Sequence, residues 1–312
     1  MNELTQNIQA EIHKVIIGKD EIIEKILMAI LAKGHVLLED VPGVGKTTTA
    51  TAFARALGLE TRRVQFTSDT VPSDIIGFSV YDKDAGSFVY KPGAVMTNLL
   101  LADEINRTSS KTQSALLEAM EEYHVTVDGK TYPLPEPFVV LATQNPVGSA
   151  GTQLLPNSQL DRFLIRTTMG YPDAASQINI LKERHHENPL DKISAVVTRE
   201  QLLELIAQAG QTHIADVVYD YVVALVGCTR SDELIALGIS PRGALALCRM
   251  AKACAFVRGR DYVTPEDITA VFSDVCAHRL VMSSKARMQK ISAQDALDEI
   301  LKRVPVPQIQ ER

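Results

Sequence analysis

The hydrophobic and polar positions follow two different patterns along the chain. From about residue 35 to 170, short apolar runs alternate with stretches of helical periodicity, which predicts strand-helix units in a parallel sheet. The expected strands are HVLLED (35–40), RRVQF (62–66), LLLAD (99–103) and FVVLAT (138–143). Polar residues stand at or directly beyond the ends of these runs. Because ligands of open parallel sheets bind at the carboxyl ends of the strands, we expect the functional site there.

Beyond about residue 172, apolar residues recur three and four positions apart, which predicts helices. Helix starts are marked by N-cap patterns at Thr198, Ser240 and Thr264. The segment Tyr171-Pro172-Asp173 marks the expected boundary. We therefore predict an α/β domain over residues 1–171 and a smaller, all-helical domain over residues 172–312.

Composition and charge exclude several classes of function. The 312 residues are 46% hydrophobic, as in ordinary globular proteins, and the net charge of −6 gives no electrostatic footprint for nonspecific nucleic-acid binding. The chain has no uncharged apolar run of about 18 residues, and its first residues lack the pattern of a secretory signal. We therefore expect a cytoplasmic protein without membrane insertion and without a nucleic-acid partner.

The cysteines and histidines show no metal-site spacing. The four cysteines, all in the last third of the chain, match no zinc or redox motif, so we expect free thiols buried in helices. The pair His185-His186 and the scattered remaining histidines also lack the spacing of metal ligands, and we interpret them as surface residues.

The segment DVPGVGKTTTA lies between an expected buried strand and an expected helix, which is the context of a phosphate-binding loop. Gly43 and Gly45 would let the backbone turn so that its amides face phosphate oxygens at a helix N-terminus. Lys46 would reach the β and γ phosphates, and the Thr47 hydroxyl would bind magnesium. The usual consensus has glycine where Asp40 stands here. The residues expected to contact ATP in this loop are Pro42, Gly43, Val44, Gly45, Lys46, Thr47 and Thr48.

The segment LLLADEINR is an apolar strand that ends in two acids. At a strand end beside a phosphate loop, Asp103 would hold magnesium through water, and Glu104 would orient and polarise the attacking water. The next apolar run, FVVLATQNP, ends in Asn145, whose amide could position the same water or contact the γ phosphate. An asparagine before a proline is also a common turn former, so both interpretations of Asn145 remain open.

Two arginines could sense the γ phosphate. Arg162 stands in QLDRF, just before the sequence becomes helical, and Arg242 stands in the first turn of the helix that begins at Ser240-Pro241. Arginine can bridge phosphate oxygens and neutralise the charge that develops during phosphoryl transfer. Most arginines lie on surfaces or pair with nearby acids, and Arg162 could pair in this way with Asp161. The residues alone leave both interpretations open.

Several segments together resemble the MoxR family of AAA+ ATPases, in the branch that also holds the magnesium chelatase ATPase subunit and the MCM helicases. They are LEDVPGVGKTTTA (38–50), LLLADEINR (99–107), ATQNP (142–146), LPNSQLDRF (155–163) and SPRGALAL (240–247). The resemblance covers roughly residues 10–280. It implies an AAA+ P-loop module, in which a parallel α/β nucleotide-binding domain and a helical lid bind ATP and magnesium.

The resemblance also implies roles for individual residues. Asn145 would be the first sensor, Arg162 the arginine finger delivered to a neighbouring subunit, and Arg242 the second sensor. The segment VIIGKDEI is similar to the family's adenine-side segment, and from the residues alone it is a loop leading into an amphipathic helix. The residues that this similarity places near the base are Val15, Ile16, Ile17 and Gly18.

Two hairpin insertions are also similar to this branch of the family. The segment 77–95 has an alternating run after an Asp-Ala-Gly turn, and the segment 123–134 has an Asp-Gly hairpin signal. In MCM-like relatives such hairpins grip nucleic acid. The second hairpin has Lys130 and His124 but no basic cluster, so the sequence supports no DNA role.

By resemblance, the protein would hydrolyse ATP in a hexameric ring and act as a chaperone that remodels or activates partner proteins, often ones with von Willebrand factor A domains. One alternative is the motor subunit of a chelatase-like complex. An attached metal-adhesion domain would favour that alternative, and we expect the chain to end too early for one. Another alternative is an ATP-gated binding switch with little turnover, although Glu104 argues against a module that does not hydrolyse ATP.

Overall fold

A computed structural model describes residues 3–41, 43–84, 86–145, 155–172, 174–183 and 189–307, and for residues 179–183 the backbone alone. Pro42, His185 and His186, which the sequence analysis singled out, lie outside the described residues.

Helices lie at both ends of the chain and alternate with strands between them. The α-helices are α1 (Glu3–His13), α2 (Asp20–Leu31), α3 (Lys46–Ala56), α4 (Pro72–Ile76), α5 (Ser110–Glu122), α6 (Asn157–Leu160), α7 (Ala174–Glu183), α8 (Arg199–Gln211), α9 (Asp216–Ser231), α10 (Pro241–Val257), α11 (Pro265–Cys276), α12 (Ser284–Met288) and α13 (Ala293–Arg303). The strands are β1 (Val36–Glu39), β2 (Thr61–Gln65), β3 (Gly77–Asp82), β4 (Ser87–Pro92), β5 (Leu99–Asp103), β6 (His124–Val127), β7 (Lys130–Pro133), β8 (Val139–Gln144), β9 (Ile165–Thr167), β10 (Ile235–Leu237) and β11 (Val281–Met282). Short 3-10 helices span Ile105–Arg107, Pro189–Lys192 and Ala277–Arg279.

The central sheet has five parallel strands in the order β2-β5-β8-β1-β9. The inner strands β5, β8 and β1 are buried almost throughout, because apolar clusters cover both faces of the sheet and successive side chains point to opposite faces. In β5, Leu99 and Leu101 lie in one hydrophobic cluster, and Leu100 and Ala102 lie in the other. The edge strand β2 is mostly exposed.

The larger hydrophobic cluster joins the sheet to the C-terminal helices. It contains Leu38 of β1, Phe53 of α3 and the buried face of α2, and it continues to Leu247 of α10 and Phe272 of α11. Helix α2 contacts both α8 and α10. Its first turn carries Asp20 and Glu21, whose charge favours a helix N-terminus. The α/β region and the helical region therefore share one continuous core.

Both expected hairpins are present. Strands β3 and β4 pair antiparallel, and β6 and β7 pair around Asp128 and Gly129, which both have the positive φ that such a tight turn requires. Tyr90 of the first hairpin stacks on Tyr132 of the second, with ring centroids 4.0 Å apart. The two insertions therefore pack against each other.

Three short strands were not predicted. Strand β9 completes the sheet beside β1, and β10 and β11 form a two-stranded antiparallel ribbon in the otherwise helical C-terminal region. Each has only two or three residues, too few for alternation to distinguish a strand from a loop.

The predicted helix starts are confirmed, since Thr198, Ser240 and Thr264 are the N-caps of α8, α10 and α11. The domain boundary after residue 171 stays a prediction.

The expectation that the remaining histidines lie on the surface is wrong for His35 and His278, which are 3% and 2% exposed. His35 Nε2 lies 3.0 Å from the Met120 carbonyl oxygen, and its Nδ1 accepts a hydrogen bond from the Val140 amide. His278 Nε2 lies 3.1 Å from the Phe163 carbonyl oxygen. Burial lowers the pKa of His35 to about 4, so this imidazole is neutral near neutral pH. Both rings serve packing between elements.

The cysteines are free and lie in helices, but only Cys254 and Cys276 are buried, while Cys228 and Cys248 are half-buried. In the part of the chain that the structure describes, histidines, cysteines and acids form no cluster of three that could hold a metal ion. Within the same residues, no helix is both long and apolar enough to cross a bilayer.

Candidate functional site

The loop between β1 and α3 has the backbone geometry that phosphate binding requires. Gly43 and Gly45 have φ values of 89° and 95°, a conformation that side chains with a Cβ rarely adopt. A Cβ at Gly43 would have no neighbour within 4 Å, and one at Gly45 would meet only the Met169 methyl group at 4.0 Å. The described part of the loop therefore leaves open space at the N-terminus of α3, where backbone amides and the helix dipole favour an anion.

Lys46 is buried at the start of α3, and its Nζ donates hydrogen bonds to the carbonyl oxygens of Asp40 at 2.6 Å and Val41 at 3.4 Å. Burial lowers the pKa of this lysine, while the carboxylates of Asp40, Asp103 and Glu104 act in the opposite direction. The ammonium group is therefore hydrogen-bonded to neutral carbonyl oxygens of the loop. An anionic phosphate oxygen is a stronger acceptor and could replace them.

Asp40 replaces the first glycine of the usual phosphate-loop consensus, and its side chain has a structural role. One carboxylate oxygen accepts from the Val41 amide at 2.9 Å, and the other accepts from the Gly170 amide at 2.6 Å. The departure from the consensus therefore links the start of the loop to the chain that follows β9.

Asp103 ends β5 beside the loop and accepts hydrogen bonds from three side chains. Thr143 Oγ1 donates to Oδ1 at 3.1 Å, and Thr47 Oγ1 lies 3.3 Å from Oδ2. Arg63 of β2 also binds Oδ2, through Nε at 2.9 Å and Nη2 at 2.8 Å. The carboxylate is buried, and its ion pair in the described structure is with Arg63.

Glu104 follows Asp103 with φ 56° and ψ 47°, a left-handed conformation that costs a residue with a side chain about 1–2 kcal/mol. Its amide donates to Thr143 Oγ1 at 2.9 Å. Its Oε1 accepts from Asn145 Nδ2 at 3.0 Å, and its Oε2 accepts from Arg107 Nη1 at 2.7 Å. The Arg107 hydrogen bond is the largest cause that lowers the pKa of Glu104, and burial acts against it.

Five of the residues form one hydrogen-bonded chain across the ends of β5 and β8, which we call the carboxylate network: Thr47, Asp103, Thr143, Glu104 and Asn145. Its hydroxyl and carboxylate oxygens are the ligands that Mg²⁺ prefers, and the loop beside it supplies amides and an ammonium group for phosphates. The donor set therefore fits a magnesium nucleotide. Val44 packs partly buried against the core, and Thr48 is half-buried in the first turn of α3.

The expected adenine-side residues are Val15, Ile16, Ile17 and Gly18. The first two are buried in the hydrophobic core, and Ile17 is half-buried. Gly18 lines a cavity of about 600 Å³ together with Met169 and residues of α11 and α13. Met169 also contacts α3, because Thr49 Oγ1 lies 3.7 Å from its sulfur. The cavity thus adjoins the phosphate loop, and of the expected residues Gly18 lines it.

Arg162 and Arg242 lie together at the end of α5. Both form ion pairs with Glu121 of α5, Arg162 through Nε and Arg242 through Nη1, each at 3.0 Å. We call these three residues the Glu121 cluster. Asp161 instead pairs with Arg279 at 2.7 Å and with Arg242 at 3.8 Å, so the alternative pairing of Arg162 with Asp161 is not observed. Within the described residues, no ion pair joins the cluster to the carboxylate network.

Sequence reasoning missed three charged partners of these residues. Arg107 had a signal, because it stands three residues after Glu104, a spacing at which opposite charges meet on a helical turn. Arg63 contacts Asp103 only through the register of β2 on β5, which the sequence does not give. Glu121 is one of several acids on α5, and nothing in the sequence distinguishes it.

The comparisons with known proteins agree with this geometry. The family described as "ATPase family associated with various cellular activities (AAA)" matches residues 35–165, and the AAA lid domain matches residues 228–300. The chain is 45% identical to the uncharacterized protein YeaC of Bacillus subtilis, over 95% of this chain and 92% of that one. It is 42% identical to the chaperone MoxR1 of Mycobacterium tuberculosis, over 96% of this chain and 81% of that one.

A solved structure of a Cytophaga hutchinsonii protein, described as an ATPase, has a TM-score of 0.90 and 37% identity to this chain. The match covers 98% of this chain and 95% of the other. The similarity therefore includes the parallel sheet, the phosphate loop and the helical lid together. On these matches, the protein belongs to the MoxR family of AAA+ ATPases, a nucleotide-binding family.

Proposed function

We propose that this protein is a magnesium-dependent ATPase that uses ATP turnover to remodel or activate partner proteins. The observation that supports the proposal most is the carboxylate network, which joins the phosphate-loop hydroxyl to both acids of β5 and to the amide after β8. Such a chain places a metal-binding group and a water-orienting group at one sheet edge, where ATP hydrolysis requires them.

In this proposal, the loop amides after Gly43 and the Lys46 ammonium group bind the phosphates of ATP. The Thr47 hydroxyl and, through water, Asp103 hold Mg²⁺, which would neutralise charge on the phosphates. Glu104 orients and polarises the attacking water, because a carboxylate at this strand end can accept a hydrogen bond and then a proton from a water beside the phosphates. Asn145 fixes the orientation of that carboxylate from the end of β8.

The Glu121 cluster would complete the active site of a neighbouring subunit. Arginines that stabilise transferred phosphate charge can come from another chain. Arg162 and Arg242 have no ion pair with the carboxylate network among the described residues, and their side chains are 28% and 48% exposed. We propose that this chain forms a hexameric ring in which each subunit presents Arg162 and Arg242 to the ATP site of the next subunit.

The proposed partners are proteins rather than nucleic acids, including proteins with von Willebrand factor A domains. A relative with 42% identity is named a chaperone, which supports work on a protein client. The formal charge of −6 gives no general attraction to nucleic acid.

One observation favours an ATP-gated switch with little turnover as the second candidate. Both carboxylate oxygens of Glu104 already have partners, Asn145 on one and Arg107 on the other. An attacking water must share or replace one of these partners, which would slow hydrolysis. A partner protein that shifts Arg107 would then control the rate.

Steady-state ATP hydrolysis by the wild-type protein and by Glu104→Gln tests the proposal. The amide keeps the shape but accepts no proton, so we expect nucleotide affinity to persist while turnover falls about 100-fold or more. The matched control is Glu118→Gln, which removes the same charge from an exposed position on α5. Normal turnover in Glu104→Gln would refute its role as the base. Wild-type binding without turnover, even with added candidate partners, would favour the switch.

A further inference from the structure

Arg63 neutralises the acid that the proposed function assigns to magnesium. Strand β2 pairs with β5 so that Gln65 lies opposite Asp103, and Arg63 stands two residues earlier on the same face. Its guanidinium extends along that face and binds Asp103 Oδ2 through Nε at 2.9 Å and Nη2 at 2.8 Å. The arginine side chain is 55% exposed, whereas the aspartate side chain is 8% exposed.

The Arg63 contact falls on the atom that also faces the phosphate loop. Asp103 Oδ2 is the oxygen 3.3 Å from the Thr47 hydroxyl, while Oδ1 receives a hydrogen bond from Thr143. A Mg²⁺ ion would be held by the Thr47 hydroxyl and, through water, by the Asp103 carboxylate, so it would depend on the same two side chains. A guanidinium and a Mg²⁺ ion that share this carboxylate repel each other, because both are cations.

We infer that Arg63 is a positioning residue that holds Asp103 while the site lacks Mg²⁺ and must withdraw for the ion to bind, so that it sets the Mg²⁺ concentration which nucleotide binding requires. This inference rests on the proposed function, since it assumes that Asp103 helps to hold the ion. The exposed side of Arg63 gives the guanidinium room to move into solvent, where its charge is well solvated.

Arg62 provides a matched control on the same strand. It carries the same charge one residue away, and its side chain points to the other face of the sheet. Its Nη1 donates to the Gly93 carbonyl oxygen at 3.0 Å, and its Nη2 lies 3.5 Å from Glu60. Arg62→Gln therefore removes one positive charge from β2 without touching Asp103.

The experiment measures binding of a fluorescent, non-hydrolysable ATP analogue to the full chain while free Mg²⁺ is varied. We expect the Mg²⁺ midpoint of Arg63→Gln to fall about threefold to tenfold below that of the wild type, because the ion no longer competes with the guanidinium. Affinity for the analogue in excess chelator should match that of Arg62→Gln, in which the general charge loss is the same. The Mg²⁺ midpoint of Arg62→Gln should stay within about twofold of the wild type.

The conservative variant Arg63→Lys keeps the charge but replaces two donors on Asp103 by one, so its midpoint should lie between those of Arg63→Gln and the wild type. If Arg63→Gln does not fold, the Mg²⁺ midpoint of Arg63→Lys still tests the inference. A midpoint in these variants that equals or exceeds the wild-type value would overturn the inference. If the wild type binds no nucleotide at any Mg²⁺ concentration, the proposed function fails instead, and the two failures are distinct.

Discussion

The carboxylate network and the Glu121 cluster both contain residues proposed to act in ATP hydrolysis, but they differ in whether a single chain completes their geometry. Four members of the network lie at or just beyond the ends of the adjacent strands β5 and β8, and Thr47 joins them from the start of α3, so all their hydrogen bonds form within one chain. The Glu121 cluster holds two arginines on one carboxylate, and both remain partly exposed. The side chains of the carboxylate network are held by the strands, so they have their partners within one chain. The long arginine side chains of the Glu121 cluster lie at the surface, so they can leave Glu121 and bind a phosphate of another subunit.

We expect the phosphate loop and the adjoining carboxylate network to contribute more to nucleotide binding than the Glu121 cluster does. Of the variants considered, Lys46→Ala in the phosphate loop should therefore have the largest effect. The variant removes the ammonium group beneath the loop, so we expect ATP affinity to fall by about two orders of magnitude and turnover to be lost with it. Isothermal calorimetry with ATP and magnesium measures the affinity directly.

Lys111→Ala serves as the control for Lys46→Ala, because Lys111 is an exposed lysine in the first turn of α5. Thermal unfolding shows whether either variant has lost the fold, a necessary check because Lys46 also bonds the Asp40 carbonyl oxygen. Unchanged calorimetric affinity in a folded Lys46→Ala protein would remove the phosphate loop from the site.

The network could be predicted largely from sequence, and the reason is local. The runs around β1, β5 and β8 are apolar because both faces of the sheet are covered, and the polar residues that follow them stand at the strand ends. Parallel strands bring those ends to one edge, so Thr47, Asp103 and Asn145 could be expected to lie near one another without any knowledge of side-chain geometry.

Contacts that depend on register or on packing between distant segments could not be predicted. Arg63 reaches Asp103 because β2 pairs with β5 in one particular register, and a one-residue shift would turn it to the opposite face. Glu121 meets Arg162 and Arg242 from three separate parts of the chain. His35 is buried because Met120 and the strand β8 surround it, which its place at the start of an expected strand did not reveal.

The second largest effect should come from Arg162 in the Glu121 cluster. If Arg162 acted within its own chain, the proposed difference between the cluster and the carboxylate network would be wrong. Arg162→Ala should keep ATP affinity and lower turnover by about 10³-fold or more, the range for arginine fingers supplied in trans. Mixing this variant with Lys46→Ala should restore part of the activity. Some interfaces in the mixture join an intact phosphate loop to an intact Arg162 from the neighbouring subunit.

Subunit exchange in the mixture must be shown separately, for example by energy transfer between differently labelled chains. With exchange established, an inactive mixture would assign Arg162 to its own chain or to no catalytic role. Turnover per chain that stays constant on dilution to monomers would lead to the same conclusion.

The smallest effect should come from Glu121 itself, and it separates two roles for this acid. If Glu121 competes with the neighbour's γ phosphate for the arginines, its removal should raise turnover. If it orients them, removal should lower turnover. We expect the second outcome, because Glu121 contacts Arg162 through Nε, and the guanidinium has further N–H donors on its terminal nitrogens that can bind a phosphate. Glu121→Gln should therefore lower turnover about twofold to fivefold, as expected for partly exposed ion pairs, without changing ATP affinity. Glu122→Gln, one residue along α5 and exposed, removes the same charge and should change neither quantity. A rise in turnover for Glu121→Gln would show that the cluster restrains the arginines rather than orienting them.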